Sequence, residues 1–185
     1  LNHPNIVKYI TSFVENDWLY IVQEFAQKGD LQKIIKKYRE NKNKGKLKET
    51  ELWNILYEIL LGIEYLHKNQ VIHRDLKPLN VFLTSANSIK IGDLGVSKVM
   101  DSNIISPKNS TMNEARVGTP LYLAPELVKY KTYDYKDDIW ALGVIMYYLT
   151  SFSPPFYGDN LPKLGNSIVH KIPADLPKHY SDKFK

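Results

Sequence analysis

The sequence is 185 residues long with 43% hydrophobic and 24% charged content, a balance that fits one folded domain with a sizeable core and excludes disorder as the default. It has no cysteine, so disulfides and thiolate metal sites are excluded, and its five histidines form no H-E-x-x-H pattern that would hold zinc. The net charge of +5 comes from scattered lysines, densest at residues 42–48, where no aromatic residue interleaves them; a solvated loop is expected there, and no nucleic-acid partner.

In chain order, residues 6–13 and 18–25 are two β-rich runs separated by Glu15, Asn16 and Asp17, which is a hairpin signal. Gly29-Asp30 then punctuates the chain before Leu31, Ile34, Ile35 and Tyr38, spaced for one face of a short helix capped by Asp30. Glu49–Lys68 is the clearest helix, with Leu52, Ile55, Leu56, Ile59, Leu60, Ile63 and Leu66 in one apolar stripe and Thr50 near its start. Short strands are expected at Val71–Ile72, Val81–Leu83 and Ile89–Ile91. Residues 101–113 are polar, aperiodic and rich in Ser and Asn, so they should be mobile unless something pins them. A second apolar helix over residues 136–150 precedes the turn Ser153-Pro154-Pro155, and a weaker one spans residues 161–171. The longest apolar run, residues 139–149, is too short to cross a bilayer, and no signal segment opens the chain. An intracellular, cytoplasmic protein without a membrane partner is expected.

The densest chemistry lies in His73-Arg74-Asp75-Leu76-Lys77-Pro78-Leu79-Asn80. Its fixed positions H-R-D-x-x-x-x-N arise by chance at roughly one start position in 160,000, at about 5% usage per residue type. Asp93-Leu94-Gly95, Gly118-Thr119-Pro120, Ala124-Pro125-Glu126 and Asp138-Ile139-Trp140-Ala141-Leu142-Gly143 follow in order. Any one triplet is weak evidence, since Asp-x-Gly alone usually marks a turn. Their order is what carries weight.

These landmarks resemble the catalytic loop, the D-F-G motif with leucine replacing phenylalanine, and the A-P-E motif of eukaryotic serine/threonine protein kinases. Taken with Asn109-Ser110-Thr111 and Ala115-Arg116, they are most similar to the NIMA-related kinases. The resemblance spans nearly the whole chain and implies an α+β, protein-kinase-like fold. Residues 1–26 would be the end of a small lobe and its hinge, and residues 27–185 a mostly helical large lobe. It also implies that the glycine-rich loop, the strand lysine and its glutamate partner precede Leu1, and that the last large-lobe helices follow Lys185. The domain is therefore expected to be partial, and the chain alone inactive. Glu126 would then lack its usual arginine partner.

The activity implied is transfer of the γ-phosphate of ATP to serine or threonine hydroxyls of protein substrates, with Mg²⁺. By resemblance, Asp75 accepts the hydroxyl proton and Lys77 sets a cation beside the γ-phosphate, while Asn80 and Asp93 hold magnesium and with it the nucleotide. Thr119 would seat the acceptor. Glu24 and Ala26 would pair with the adenine edge through their backbone, with Gln23 in the gatekeeper slot, Asp30 near the ribose and Phe82 beneath adenine. His73 and Leu94 would stack in the column joining the lobes, Asp138 would anchor the catalytic loop, and Arg74 would await a phosphate on Ser110 or Thr111. The family's location would be cytoskeletal or ciliary. Two other classes compete: a binding protein that keeps this fold without transfer, disfavoured by intact Asp75, Lys77, Asn80 and Asp93, and a basic interaction module at residues 42–48, which explains none of the motifs.

Overall fold

The computed structural model describes residues 1–41, 45–99, 120–129 and 132–185. Strands β1 (Tyr9–Glu15) and β2 (Trp18–Gln23) form an antiparallel hairpin in which Glu15 faces Trp18. Only Asn16 and Asp17 are therefore left to turn, and both take positive φ, of 50° and 63°. Asn and Asp tolerate that left-handed region, and a two-residue turn of this kind matches the right-handed twist of the strands. The hairpin starts later than its β-rich run because residues 5–7 leave it for another partner. Val7 N–H donates to the Ile91 carbonyl and Ile91 N–H to that of Asn5, each at 2.8 Å, in a parallel bridge.

Helix α1 (Leu31–Glu40) begins at Asp30, whose Oδ1 accepts from the Lys33 N–H at 2.9 Å. Helix α2 (Glu49–Lys68) is entered at Lys48, whose N–H donates to Glu51 Oε2 at 2.9 Å. Glu51, not Thr50, is thus the side chain that satisfies this end of the helix. Strand β3 (Val71–Ile72) pairs with β6 (Lys98–Val99), and β4 (Val81–Leu83) with β5 (Ile89–Ile91), both antiparallel. Helices α3 (Pro125–Val128), α4 (Tyr135–Ser151) and α5 (Leu161–His170) complete the fold.

The stripe Leu52, Ile55, Ile59, Ile63 and Leu66 of α2 packs with Ala141, Leu142, Ile145 and Leu149 of α4 and with Val81, Ile89 and Ile91 of the β4–β5 pair, all buried. At roughly 1.5–3 kcal/mol per buried large aliphatic side chain, this cluster dominates the cohesion of the fold. A smaller cluster of Phe156, Leu164 and Ile168 backs α3 and α5. The lysine-rich segment is partly tied down where it is described: Leu47 is buried, and its carbonyl accepts from the Tyr180 hydroxyl at 3.2 Å. Both hairpin strands are exposed along their whole length. Among the described residues, no helix is long and apolar enough to cross a membrane.

Helix α4 carries an ionisable group at its buried end. Asp137 Oδ2 accepts from the Asp134 N–H at 2.6 Å, while its Oδ1 is buried with no hydrogen-bond partner among the described residues. Burial raises this carboxyl, the Asp134 N–H lowers it, and the charges of Glu126, Asp134 and Asp138 raise it further, leaving it pushed up to about 7. A raised folded-state pKa favours the neutral acid. Its stabilisation is complete below the unfolded value of about 3.9 and is lost as pH rises through about 7. Asp137→Asn keeps an acceptor for the Asp134 N–H but cannot titrate. Urea denaturation at pH 5 and pH 8 should show the variant gaining stability relative to wild type at the higher pH; a difference independent of pH would contradict the assignment.

Candidate active site

The loop between β3 and β4 is held by one carboxylate from the core helix. Asp138 is 1% exposed; its Oδ2 accepts from the His73 N–H at 3.0 Å and its Oδ1 from the Arg74 N–H at 3.1 Å. His67, in the last turn of α2, meets the same Oδ2 through Nε2 at 2.8 Å. Arg74 sits at φ 69°, where a residue with a Cβ is strained at a cost of order 1–3 kcal/mol. The hydrogen bonds to Asp138 are what offset that strain. The Arg74 guanidinium lies 5.3 Å from the centroid of the Tyr133 ring.

His73 is fully buried, and both of its ring nitrogens are occupied by backbone. Nδ1 accepts from the Asp75 N–H at 3.3 Å, so Nε2 carries the proton and donates to the Gly92 carbonyl at 3.0 Å. A general base needs a free lone pair toward substrate, and this imidazole has none. It tethers the Asp75 loop to the Asp93 loop instead.

Asp75 Oδ2 is met by Lys77 Nζ at 2.5 Å and Asn80 Nδ2 at 3.1 Å, and Asn80 Nδ2 also donates to the Asp75 carbonyl at 2.8 Å. Pro78–Asn80 form a single 3₁₀ turn, which is what brings Asn80 back over Asp75. The other oxygens, Asp75 Oδ1 and Asn80 Oδ1, have no partner among the described residues. The Asn80 carbonyl accepts from Gly92 N–H at 2.9 Å, placing Asp93 alongside. Gly92 is required there by close approach, because a Cβ would meet both the Phe82 ring and the Val7 side chain at 2.9 Å. Asp93 has φ 58°, and its carboxylate is exposed with no hydrogen bond among the described residues.

Asn80 and Asp93 line a cleft of about 450 Å³ together with Gln23, Glu24, Ala26, Asp30 and Phe82. The Glu24 N–H donates to the Lys8 carbonyl at 2.8 Å, whereas the Glu24 carbonyl and the Ala26 N–H make no hydrogen bond among the described residues. An acceptor and a donor two residues apart on one edge suit a purine edge. Asp30 reaches this cleft while capping α1, with Lys33 Nζ 3.8 Å from its Oδ2. A larger groove of about 1030 Å³ lies between α2 and α4, lined by Trp53, Leu60, Leu142 and Phe184 among others. It shares no residue with the Asp75 loop, and its walls are largely apolar, with Asp175, Lys178 and Lys185 among its lining.

The structure thus brings together Glu24, Ala26, Asp30, Phe82, Asn80 and Asp93 around one cleft, with Asp75 and Lys77 joined to it through Asn80. Thr119, Ser110 and Thr111 lie outside the described residues, as do residues 101–113. Leu94 packs partly buried against the main core. Sequence reasoning missed His67 and Lys90. A histidine ending an amphipathic helix and a lysine in a three-residue strand carry no local mark of what they reach in space.

Comparison with known proteins adds independent support. The model of the protein kinase domain matches residues 1–184. Serine/threonine-protein kinase A of Trypanosoma brucei brucei is 39% identical over 184 residues, which is all of this chain and 42% of that protein. The serine/threonine-protein kinases Nek1 of Mus musculus and Nek5 of Homo sapiens are 38% and 39% identical over 98% of this chain, covering 14% and 24% of their own lengths. The chain therefore spans less than half the length of these curated relatives.

Removal of the Asp138 carboxylate should be costly at two levels. Asp138→Ala leaves the buried His73 amide and the part-buried Arg74 amide without an acceptor, and a buried unsatisfied donor costs about 1–3 kcal/mol. We expect a loss of about 3 kcal/mol or more in urea denaturation, with hydrogen exchange accelerated at residues 73 and 74. Unchanged protection of those two amides would show that the loop is held by something else.

Proposed function

The chain belongs to the protein kinase domain family, and we propose that the protein it comes from transfers the γ-phosphate of ATP to serine and threonine hydroxyls of protein substrates. The observation that carries this reading is the Asp75 carboxylate, clamped through one oxygen by Lys77 and Asn80 and left open at the other, beside a cleft lined by Asn80 and Asp93. Phosphoryl transfer asks little covalent chemistry of the protein, so positioning and neutralisation of charge make up most of catalysis.

In the proposed step, Asp75 Oδ1 receives the hydrogen bond of the acceptor hydroxyl and aligns its oxygen with the γ-phosphorus. The new O–P bond forms as the bond to the bridging oxygen breaks; ADP departs, and the hydroxyl proton passes to Asp75 and on to solvent. Lys77, already at Asp75 Oδ2, would offset the negative charge that shifts during transfer. The serine/threonine preference is supported by Lys77 and by the names of the relatives. Glu24 O and Ala26 N–H would take the adenine edge, Phe82 its face and Asp30 the ribose.

Protein kinase domains in general use ATP with Mg²⁺, and the residues present fit that ion. Among the described residues no group of three acidic or histidine side chains could hold a metal alone, but magnesium keeps several waters and takes one or two protein oxygens plus phosphates. Asn80 Oδ1 and the free Asp93 carboxylate are such oxygens. Bound there, the ion would neutralise phosphate charge. Thr119 as the acceptor seat, and Ser110 and Thr111 as phosphosites read by Arg74, belong to this proposal on sequence alone.

Radiolabel transfer from ATP to casein by the full-length protein tests the reading. Asp75→Asn should lower kcat by about two orders of magnitude or more while nucleotide affinity stays nearly unchanged. Asp93→Ala should instead weaken nucleotide binding that depends on magnesium. Transfer that survives Asp75→Asn would remove Asp75 from the proton-accepting role, and absence of transfer by the wild type would favour a binding protein built on the same fold.

A further inference from the structure

Lys90 is the middle residue of β5, and strand alternation alone makes it a surface lysine between the buried Ile89 and Ile91. The structure gives it a different setting. Its side chain is only 13% exposed, and its ammonium donates to the Pro4 carbonyl at 2.7 Å and lies 3.1 Å from Glu24 Oε2. That same Oε2 accepts from the Lys8 N–H at 3.2 Å, while the Glu24 N–H donates back to Lys8. Burial raises the Glu24 carboxyl, but the hydrogen bonds and charges of Lys90 and Lys8 outweigh it and hold Glu24 below the usual carboxylate range.

Three segments therefore meet at one cation. Pro4 belongs to the stretch that bridges to β5 and is fastened to α2, where Asn5 Nδ2 donates to Glu58 Oε2 at 3.0 Å and to the Ile89 carbonyl at 2.9 Å. Glu24 belongs to the edge that faces the cleft. Lys90 itself is paired across the sheet with Phe82, on the cleft floor, and stands three residues before Asp93. Lys8, the other partner of Glu24, lies at the entry to the exposed β1–β2 hairpin. Backbone bonds hold the far end of this edge to β4, with Lys28 N–H donating to the Leu83 carbonyl at 3.0 Å and Leu83 N–H to that of Gly29 at 2.7 Å, while Lys90 ties Glu24 itself to β5, the strand that leads to Asp93.

We propose that Lys90 is a positioning residue for the nucleotide, its ammonium fixing the Glu24–Ala26 edge against the cleft floor through the Glu24 carboxylate and the Pro4 carbonyl. The inference rests on the reading of the cleft as a nucleotide site. It assigns to Lys90 a part in ATP affinity separate from transfer, because Lys90 touches neither Asp75 nor Lys77. An edge free to sample other positions presents its Glu24 carbonyl and Ala26 N–H in the binding geometry only part of the time, and apparent affinity falls by that fraction.

The test is steady-state kinetics of the full-length protein with ATP and casein, together with direct titration of a fluorescent ATP analogue. Lys90→Met should raise KM for ATP and the analogue Kd about three- to tenfold, whereas KM for casein and kcat at saturating ATP should move less than about twofold. Lys90→Arg keeps a cation of similar reach and should restore both ATP readouts to within about twofold of wild type. In a Glu24→Gln background the Met substitution should add little, since its partner charge is already gone. Unchanged ATP affinity in Lys90→Met overturns the proposal. So does an equal deterioration of kcat and casein KM, which would mark a general structural role, and so does failure of arginine to rescue. A wild type that transfers no phosphate would count against the proposed function, yet the analogue titration would still decide the case of Lys90.

Discussion

A carboxylate buried to 1% exposure is an expensive group, and Asp138 is tolerated because each of its oxygens accepts a backbone N–H and His67 meets Oδ2 as well. It projects from the helix that forms the centre of the core, so its position is set by the packing of α4 against α2. From there it dictates the backbone of His73 and Arg74. The left-handed turn at Arg74 then swings the next residues around, so that Asp75, Lys77 and Asn80 converge and His73 can reach Gly92. The order of dependence runs from apolar packing, to one buried charge, to loop geometry, to the polar site.

The second half of the site depends on a different contact. Gly92 lets the chain pass against Phe82 and Val7 with no Cβ between them, and its hydrogen bond to Asn80 sets Asp93 beside that residue. The two oxygens proposed for magnesium therefore come from different loops, joined by the backbone bond from Gly92 to Asn80. His73 strengthens the same joint from beneath. Substitution of either loop would be felt by the other, and single-residue effects in this region should not be additive.

Much of this molecule could be read from the chain. The α2 stripe and the Asp30 cap are local patterns, and their physics acts within a few residues, so the sequence shows them directly. The spacing of Asp75, Lys77, Asn80 and Asp93 is a signature visible in the chain, and the structure places the four together, although the sequence could not tell that one oxygen of Asp75 would be clamped and the other open. The hairpin begins at Tyr9 and not at Ile6, because residues 5–7 are drawn into a parallel bridge with β5, which lies more than 80 residues further along the chain. Nothing within reach of a sequence window announces a partner at that distance.

By itself the sequence determined the longer helices, the hairpin, the strands β3, β4 and β5 and the motif order, though not β6 or α3, since helical periodicity, turn chemistry and loop spacing are short-range properties. Only the tertiary structure decided the use of His67, Lys90 and Asp137, which look like ordinary surface or cap residues until burial removes water from around them. A charged or titratable group acquires its role from what replaces that water. For His67 the replacement is Asp138, for Lys90 it is Glu24 and Pro4, and for Asp137 it is one backbone amide with the charges of Glu126, Asp134 and Asp138 nearby, all set by how the elements pack.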